Sequence, residues 1–266
     1  MPGQGGASLT DEVRIAIDDG VMVLSFNRPA KKNALSHDMY RVLAEALEEA
    51  ETDPAIRAVL FEGEGGCFTA GNDLTDFAAV AMGGEAPKEV GRFLKALAGA
   101  QKPLVASVVG LAVGIGVTLL LHCDLVYVAD DAILSLPFID LGLVPEAGSS
   151  RLLPARIGHA RAFAMFALGE AISGREAERI GLANVAAPAA KVPALALAAA
   201  KALARRPLGA LKATKALMRD GGAIAQVMEA EIAVFVQRLR TREAAEAFQA
   251  FAERRPPDFM KLEEKP

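Results

Sequence analysis

The stretch VASVVGLAVGIGVTLLLHCDLVYVAD, Val105 to Asp130, decides the fold. It starts as a β-branched apolar run, is broken by Gly110, Gly114 and Gly116, runs on as an apolar segment to His122, and closes with a second strand-like run, DLVYVAD. Pro103 stands just ahead of it and separates it from the preceding helical pattern, because proline has no N–H to give to a helix. The spacing predicts a strand over LVASVV, a turn from Gly110 to Gly116, a helix to about His122 and another strand. Strand and helix in alternation make a layered α/β domain. Leu111 to Leu121 is shorter than the roughly 20 residues a membrane span requires and reads as a buried helix.

Upstream, VRIAID and VMVLSFN flank Asp19-Gly20, a two-residue hairpin signal between alternating segments. Ser36 is placed to cap a helix running to about Thr52, in which Met39, Leu43, Leu47 and Ala50 recur on one face. RAVLFEG reads as a buried strand leading into the Gly63–Gly66 loop, followed by a helix through Phe77, a Gly83–Pro87 connection and a second helix ending at Lys102. From about Pro193 the pattern becomes helical throughout: ALALAAAKALARR, LGALKATKALMRD, AIAQVMEAEIAVFVQRL and REAAEAFQAFAERR. The expected organisation is a core over residues 1–192 that carries the site and a helical oligomerisation region over 193–266.

The 266 residues are 52% hydrophobic and 23% charged with a net charge of -4, so a sizeable core is affordable and no basic field recommends nucleic acid or an anionic membrane as partner. Two cysteines, Cys67 and Cys123, are too few and too far apart for a disulfide scaffold or a metal cluster. The N-terminus lacks the basic-then-apolar pattern of a signal peptide and KLEEKP is no peroxisomal address, so the expectation is a cytoplasmic protein. The glycines at 110, 114 and 116 miss the dinucleotide spacing, and neither a phosphate-binding GxxxxGK[ST] nor a GxSxG elbow occurs. His37, His122 and His159 have no metal-ligand spacing and read as structural or surface groups, so no metal is expected.

Three segments carry chemistry. LPFIDLGLVPEAGSSRLLPA, from Leu136, sets one carboxylate, Glu146, in an apolar run just before a helix start. Taken alone, a glutamate there only complements a helix dipole. Gly114-Ile115-Gly116 lies where a turn becomes a helix, so free N–H groups can face a negative oxygen, although glycines that merely allow close packing would look the same. FTAGNDL, Phe68 to Leu74, is a loop of small and polar residues in which Asn72 or Asp73 caps a following helix. Together they describe an oxyanion site opposite one base.

In these blocks the chain resembles the crotonase superfamily of acyl-CoA enzymes, and within it the Δ3,Δ2-enoyl-CoA isomerases of the peroxisomal type, which share AGNDL, VGI-VTLL and PE-x-x-SS. The resemblance implies a spiral of ββα units with a C-terminal all-helical region, assembled as a homotrimer or dimer of trimers. It assigns the oxyanion N–H groups to Asn72 and Ile115 and the single acid/base to Glu146. It runs coenzyme A along Ala70, Gly71, Asp73 and Leu74 with Lys31 or Lys32 toward a phosphate, and sets Phe138, Leu141 and Thr118 in the acyl pocket. No cofactor is implied beyond the coenzyme A of the substrate. Where the family's hydratases carry two glutamates this chain has Thr118 and Phe138, neither able to hold or deprotonate water. The expectation is therefore an enzyme moving a 3-enoyl-CoA double bond to the 2-position, with a hydratase or other acyl-CoA lyase, or a non-catalytic acyl-CoA-binding scaffold, as alternatives.

Overall fold

The computed structural model describes residues 11–73 and 88–263. Its first sheet opens with the expected hairpin. β1 (Val13–Asp18) and β2 (Val21–Phe26) pair antiparallel with Val13 opposite Phe26, and Asp19 and Gly20 both take positive φ, the backbone a tight two-residue turn requires. Ser36 accepts the Met39 N–H and starts α1 (His37–Thr52), whose buried stripe includes Met39, Tyr40, Leu43 and Leu47. β3 (Ala58–Gly63) joins β2 in parallel, and α2 (Lys88–Gly99) packs on α1. The helix expected through Phe77 and the Gly83–Pro87 connection lie outside the described residues.

The decisive stretch resolves into more strands than its periodicity suggests. After β4 (Leu104–Val108) the chain turns at Gly110 and Leu111–Val113 forms a second short strand, β5, rather than the start of a helix. Helix begins only at α3 (Ile115–Thr118), one turn that continues as a 3-10 turn to His122. β6 (Leu125–Ala129) returns to the first sheet and β7 (Ile133–Ser135) to the second, so from β4 to β7 the strands alternate between two sheets. β8 (Ile172–Ser173) and β9 (Val185–Ala187) complete an order of β1-β2-β3-β4-β6-β9 in one sheet and β5-β7-β8 in the other. This is the α/β spiral of ββα units that the resemblance implies.

Between and after these strands come α4 (Ser149–Ile157), α5 (His159–Ala167), α6 (Gly174–Arg179), α7 (Val192–Ala204), α8 (Leu208–Met218), α9 (Gly221–Leu239), α10 (Arg242–Ala252) and α11 (Met260–Glu263). β4 is buried on both faces. Leu104, Ala106 and Val108 belong to the main core, while Val105 joins Val21, Ala58 and Leu60 beneath Ala196, Ala200 and Ala204 of α7. Alanine at every fourth position gives α7 a flat stripe that seats closely on the sheet. No helix among the described residues is long and apolar enough to cross a membrane.

The second sheet positions the site by drawing the 63–73 loop against β5. Phe68 N–H donates to Val109 O at 2.8 Å, Thr69 N–H to Leu111 O at 2.9 Å, and Val113 N–H returns to Thr69 O at 3.1 Å. Two glycines permit the approach: a Cβ on Gly71, whose φ is +92°, would stand 2.9 Å from Val113 O, and one on Gly116 would stand 2.6 Å from Thr69 Cγ2. Thr69 cannot yield easily, because its hydroxyl donates to Asn33 O at 2.7 Å and accepts the Gly71 N–H at 3.0 Å. Gly116→Ala is therefore expected to cost about 1–3 kcal/mol by urea denaturation. Gly209→Ala in α8, where a Cβ meets nothing within 4 Å, is expected to be neutral or slightly stabilising.

Candidate active site

A cavity of about 740 Å³ opens between the 31–34 turn, the 70–73 loop, β5, the segment after β7 and the C-terminal helices. Lys31, Ala70, Gly71, Asn72, Asp73, Phe138 and Leu141 line it, so most of the expected site residues converge there. Lys32, Leu143, Phe235, Phe251 and Arg255 join them. Two lysines beside an apolar chamber suit a ligand with an anionic end and a greasy one, whereas the Arg255 guanidinium is already paired with Glu246 and Glu253. Leu74 lies outside the described residues. Glu146, Ile115 and Thr118 are not in this lining.

The 70–73 loop leaves one backbone donor over. Ala70 N–H donates to Lys32 O at 2.9 Å, Gly71 N–H to the Thr69 hydroxyl, and Asp73 N–H to Leu35 O at 3.0 Å. Asn72 N–H has no acceptor among the described residues. The 113–118 segment repeats the pattern: Gly114 N–H bonds Ser135 O, and the Val117 and Thr118 N–H groups bond Gly114 O. Those of Ile115 and Gly116 have no acceptor among the described residues. With only one helical turn behind Ile115, it is the N–H groups themselves, more than a helix dipole, that can meet a negative oxygen.

Asp73, expected along coenzyme A, also has a structural partner, since its Oδ2 lies 2.9 Å from Arg28 Nη1. Arg28 ties this loop to Glu12 as well, at 2.9 Å. Thr118, expected as pocket wall, is fully buried and its hydroxyl donates to Glu146 Oε1 at 2.7 Å. It serves the carboxylate directly rather than the lining of the cavity.

Glu146 does not sit on a helix. It occupies a turn through Ala147 and Gly148, both at positive φ, before α4 begins at Ser149. Only 7% of it is exposed, and no ion pair reaches it among the described residues. Burial pushes its carboxyl up from the ordinary 4.5 to about 7, with the Thr118 hydroxyl pulling down and the nearby Glu231 carboxylate pushing up. A group at that value can both take and return a proton near neutrality.

Two residues not singled out from sequence complete this centre. Tyr40 is buried in the α1 stripe, where its hydroxyl donates to the Asn72 side-chain oxygen. Its proton is held well above the ordinary value by burial and by the charge of Glu146, which places phenol and carboxylate in one electrostatic neighbourhood. A tyrosine on an otherwise apolar stripe was the readable signal, since a buried phenol requires a partner. Glu231 is the second. Ile224, Met228, Glu231, Phe235 and Leu239 are the buried residues of α9, and their spacing sets a carboxylate within an apolar seam. His122 is buried and structural, as expected, with Nε2 2.7 Å from Ala147 O.

Two outcomes follow from this electrostatics. In the folded chain Glu146 stays protonated to about pH 7, while the unfolded chain ionises it near 4.5, so its contribution to stability declines as pH rises through that window. Glu146→Gln is expected to gain stability over the parent between about pH 5 and pH 8, by up to about 3 kcal/mol, in urea titrations at each pH. Thr118→Val removes the hydrogen bond that favours the ionised form, so Glu146 is expected to titrate at higher pH and the acid limb of any Glu146-dependent rate to move up with it.

Comparison with known proteins agrees with the geometry. A family model described as Enoyl-CoA hydratase/isomerase matches residues 16–262. Enoyl-CoA delta isomerase 2 of Rattus norvegicus is 34% identical over 259 residues, which span 95% of this chain and 66% of that protein, just under two thirds. The 2,3-dehydroadipyl-CoA hydratase of Escherichia coli K12 is 32% identical over 252 residues, 93% of this chain and 98% of that one. A solved enoyl-CoA hydratase/isomerase from Pseudoalteromonas atlantica superposes with a TM-score of 0.88 at 38% identity, covering 94% of this chain and all of the other. Fold, cavity and sequence thus agree that this chain belongs to the crotonase superfamily, the enoyl-CoA hydratase/isomerase family of acyl-CoA enzymes.

Proposed function

We propose that the protein is an enoyl-CoA isomerase that moves the double bond of a 3-enoyl-CoA to the 2-position. The observation that carries this reading is the buried carboxylate of Glu146, its proton affinity raised to about neutrality, with threonine and phenylalanine, not glutamates, at 118 and 138. Glu146 takes a proton from the α carbon, and the electron pair moves into the thioester carbonyl to give a dienolate. The N–H groups of Asn72 and Ile115 hold the enolate oxygen, where loss of one such donor typically costs about 10²–10³ in kcat. The protonated Glu146 then delivers the same proton to the γ carbon, the electrons return, and the double bond is left conjugated. One carboxylate suffices, because no water is added and no second base is used.

Lys31 with Ala70, Gly71, Asp73 and Leu74 would follow the coenzyme A moiety, and Phe138 and Leu141 the acyl chain. Such a wall excludes water from the dienolate and favours isomerisation over hydration. The steps require no cofactor beyond the coenzyme A of the substrate. Residues 193–266 would form the oligomerisation region of a homotrimer or dimer of trimers, supported by Leu217 and Met218 at the end of α8, which stand 91% and 82% exposed. Light scattering on the eluting protein tests this, and a monomer would refute it.

The direct assay offers a short trans-3-enoyl-CoA to the purified protein and to Glu146→Gln and follows conjugated and 3-hydroxy products separately. Conjugated product is expected from the parent, with a loss of at least about 10³ in kcat for the variant. A 3-hydroxyacyl product formed from a 2-enoyl-CoA at comparable rate would instead establish a hydratase, and binding without turnover of either ester would establish a scaffold.

A further inference from the structure

The start of α4 is held by a residue from a distant part of the chain. Glu231, in the middle of α9 and 7% exposed, accepts the Gly148 N–H on Oε2 at 2.6 Å and the Ser150 N–H on Oε1 at 2.9 Å. The Ser149 N–H between them donates to the Glu146 carbonyl at 3.0 Å. On the other side of the turn His122 Nε2 holds the Ala147 carbonyl, while Nδ1 faces the Arg219 guanidinium at the end of α8. Facing a permanent cation, Nδ1 is the unprotonated nitrogen and Nε2–H is the donor. Burial and Arg219 push the His122 imidazole down to about 3, so it stays neutral. Ala147, at φ +59° and fully buried, is thereby fixed in a conformation that a residue with a Cβ rarely adopts.

Free N–H groups at a helix start stabilise a nearby carboxylate, and such stabilisation makes it a weaker base. Glu146 stands three residues ahead of α4, where it would receive this help if the donors were open. Glu231 occupies them. The groups facing Glu146 are Thr118 from α3, Tyr40 from α1 and Glu231 from α9, with neutral His122 and the Arg219 behind it touching the turn through Ala147. Among the described residues only Glu231 combines a carboxylate with a direct hold on the turn; burial raises its own proton affinity, against the Ser150 and Gly148 N–H groups that favour its charge.

We propose that Glu231 is a positioning residue for Glu146: by taking the Gly148 and Ser150 N–H groups it fixes the 146–150 turn and withholds the start of α4 from the Glu146 carboxylate, leaving that carboxylate to carry protons. The consequence for turnover rests on the isomerase reading, whereas the consequence for protonation of Glu146 does not. Removing the Glu231 charge and exposing the two donors both favour ionised Glu146, so both move its titration the same way.

The test uses Glu231→Gln and Glu231→Asp in the full-length protein with two readouts. Infrared difference titration follows the Glu146 carboxyl band, assigned by its loss in Glu146→Gln, and steady-state kinetics on a 3-enoyl-CoA gives kcat and KM against pH. In Glu231→Gln the Glu146 midpoint and the acid limb of kcat are expected to fall together by about one pH unit. kcat is expected to drop roughly tenfold or more with KM within about threefold, and Glu231→Asp to recover part of both effects. Should Glu231→Gln not fold, Glu231→Asp carries the same test, its carboxylate drawn back from the two donors and its midpoint displaced in the same direction by less. An unmoved Glu146 midpoint in a folded variant overturns the proposal, including the case where kcat and thermal stability fall together and Glu231 is a helix cap alone. If the parent shows no isomerisation, the infrared titration still decides the role of Glu231 and only the isomerase reading falls.

Discussion

A carboxylate buried without a counter-charge is costly in a folded protein, by several kcal/mol if it stays ionised, and most of the local architecture can be understood as the means of keeping Glu146 in that position. An arginine within reach would have removed the cost and with it the basicity. What the chain provides instead is a single hydroxyl, that of Thr118, and a second carboxylate close enough to push the proton affinity the other way. The result is a group that changes charge near neutrality while almost out of contact with solvent. Tyr40 adds a polar neighbour that stays uncharged, since its own proton is held more tightly by burial and by Glu146.

The two-sheet spiral supplies the frame for this group. Because the chain crosses from the first sheet to the second between β4 and β5, that connection passes beside the 63–73 loop, and hydrogen bonds through Thr69 lock the two segments together. Each segment then commits all but a few of its N–H groups internally. The donors left over among the described residues, at Asn72, Ile115 and Gly116, are a by-product of a pairing whose first requirement is to close the backbone. Donors with no acceptor among the described residues are preorganised, having no hydrogen bond to give up before they meet a negative oxygen.

Much of the frame was legible in the sequence. The Asp-Gly hairpin, the Ser36 cap and the apolar stripe of α1 are local signals, and each lies where its periodicity puts it. β5 was not legible, because three residues are too few to display an alternation and their apolar character equally suits a helix. Glu146 was visible through its motif, but its environment was not: Thr118 lies 28 residues away and Glu231 lies more than 80 residues from the N–H groups it accepts. Such pairings are fixed by tertiary packing and leave no trace in local spacing. The exception is the polar residue within an apolar seam. Tyr40 and Glu231 both interrupt buried stripes, and each interruption marks a contact with the site.

The seat of α7 on the sheet bears on how the chain reaches this state. Val21, Leu60 and Val105 present an apolar face covered by Ala196, Ala200 and Ala204 of α7, with Leu197 and Leu203 packed beside them. During synthesis β2, β3 and β4 are finished well before that helix leaves the ribosome, so the half-made protein displays their apolar face with nothing to lay on it. Chains at this stage are the ones that associate wrongly or engage chaperones. The alanine helix thus acts as a late closing piece, and the sheet can settle into its final packing only after most of the polypeptide has been made.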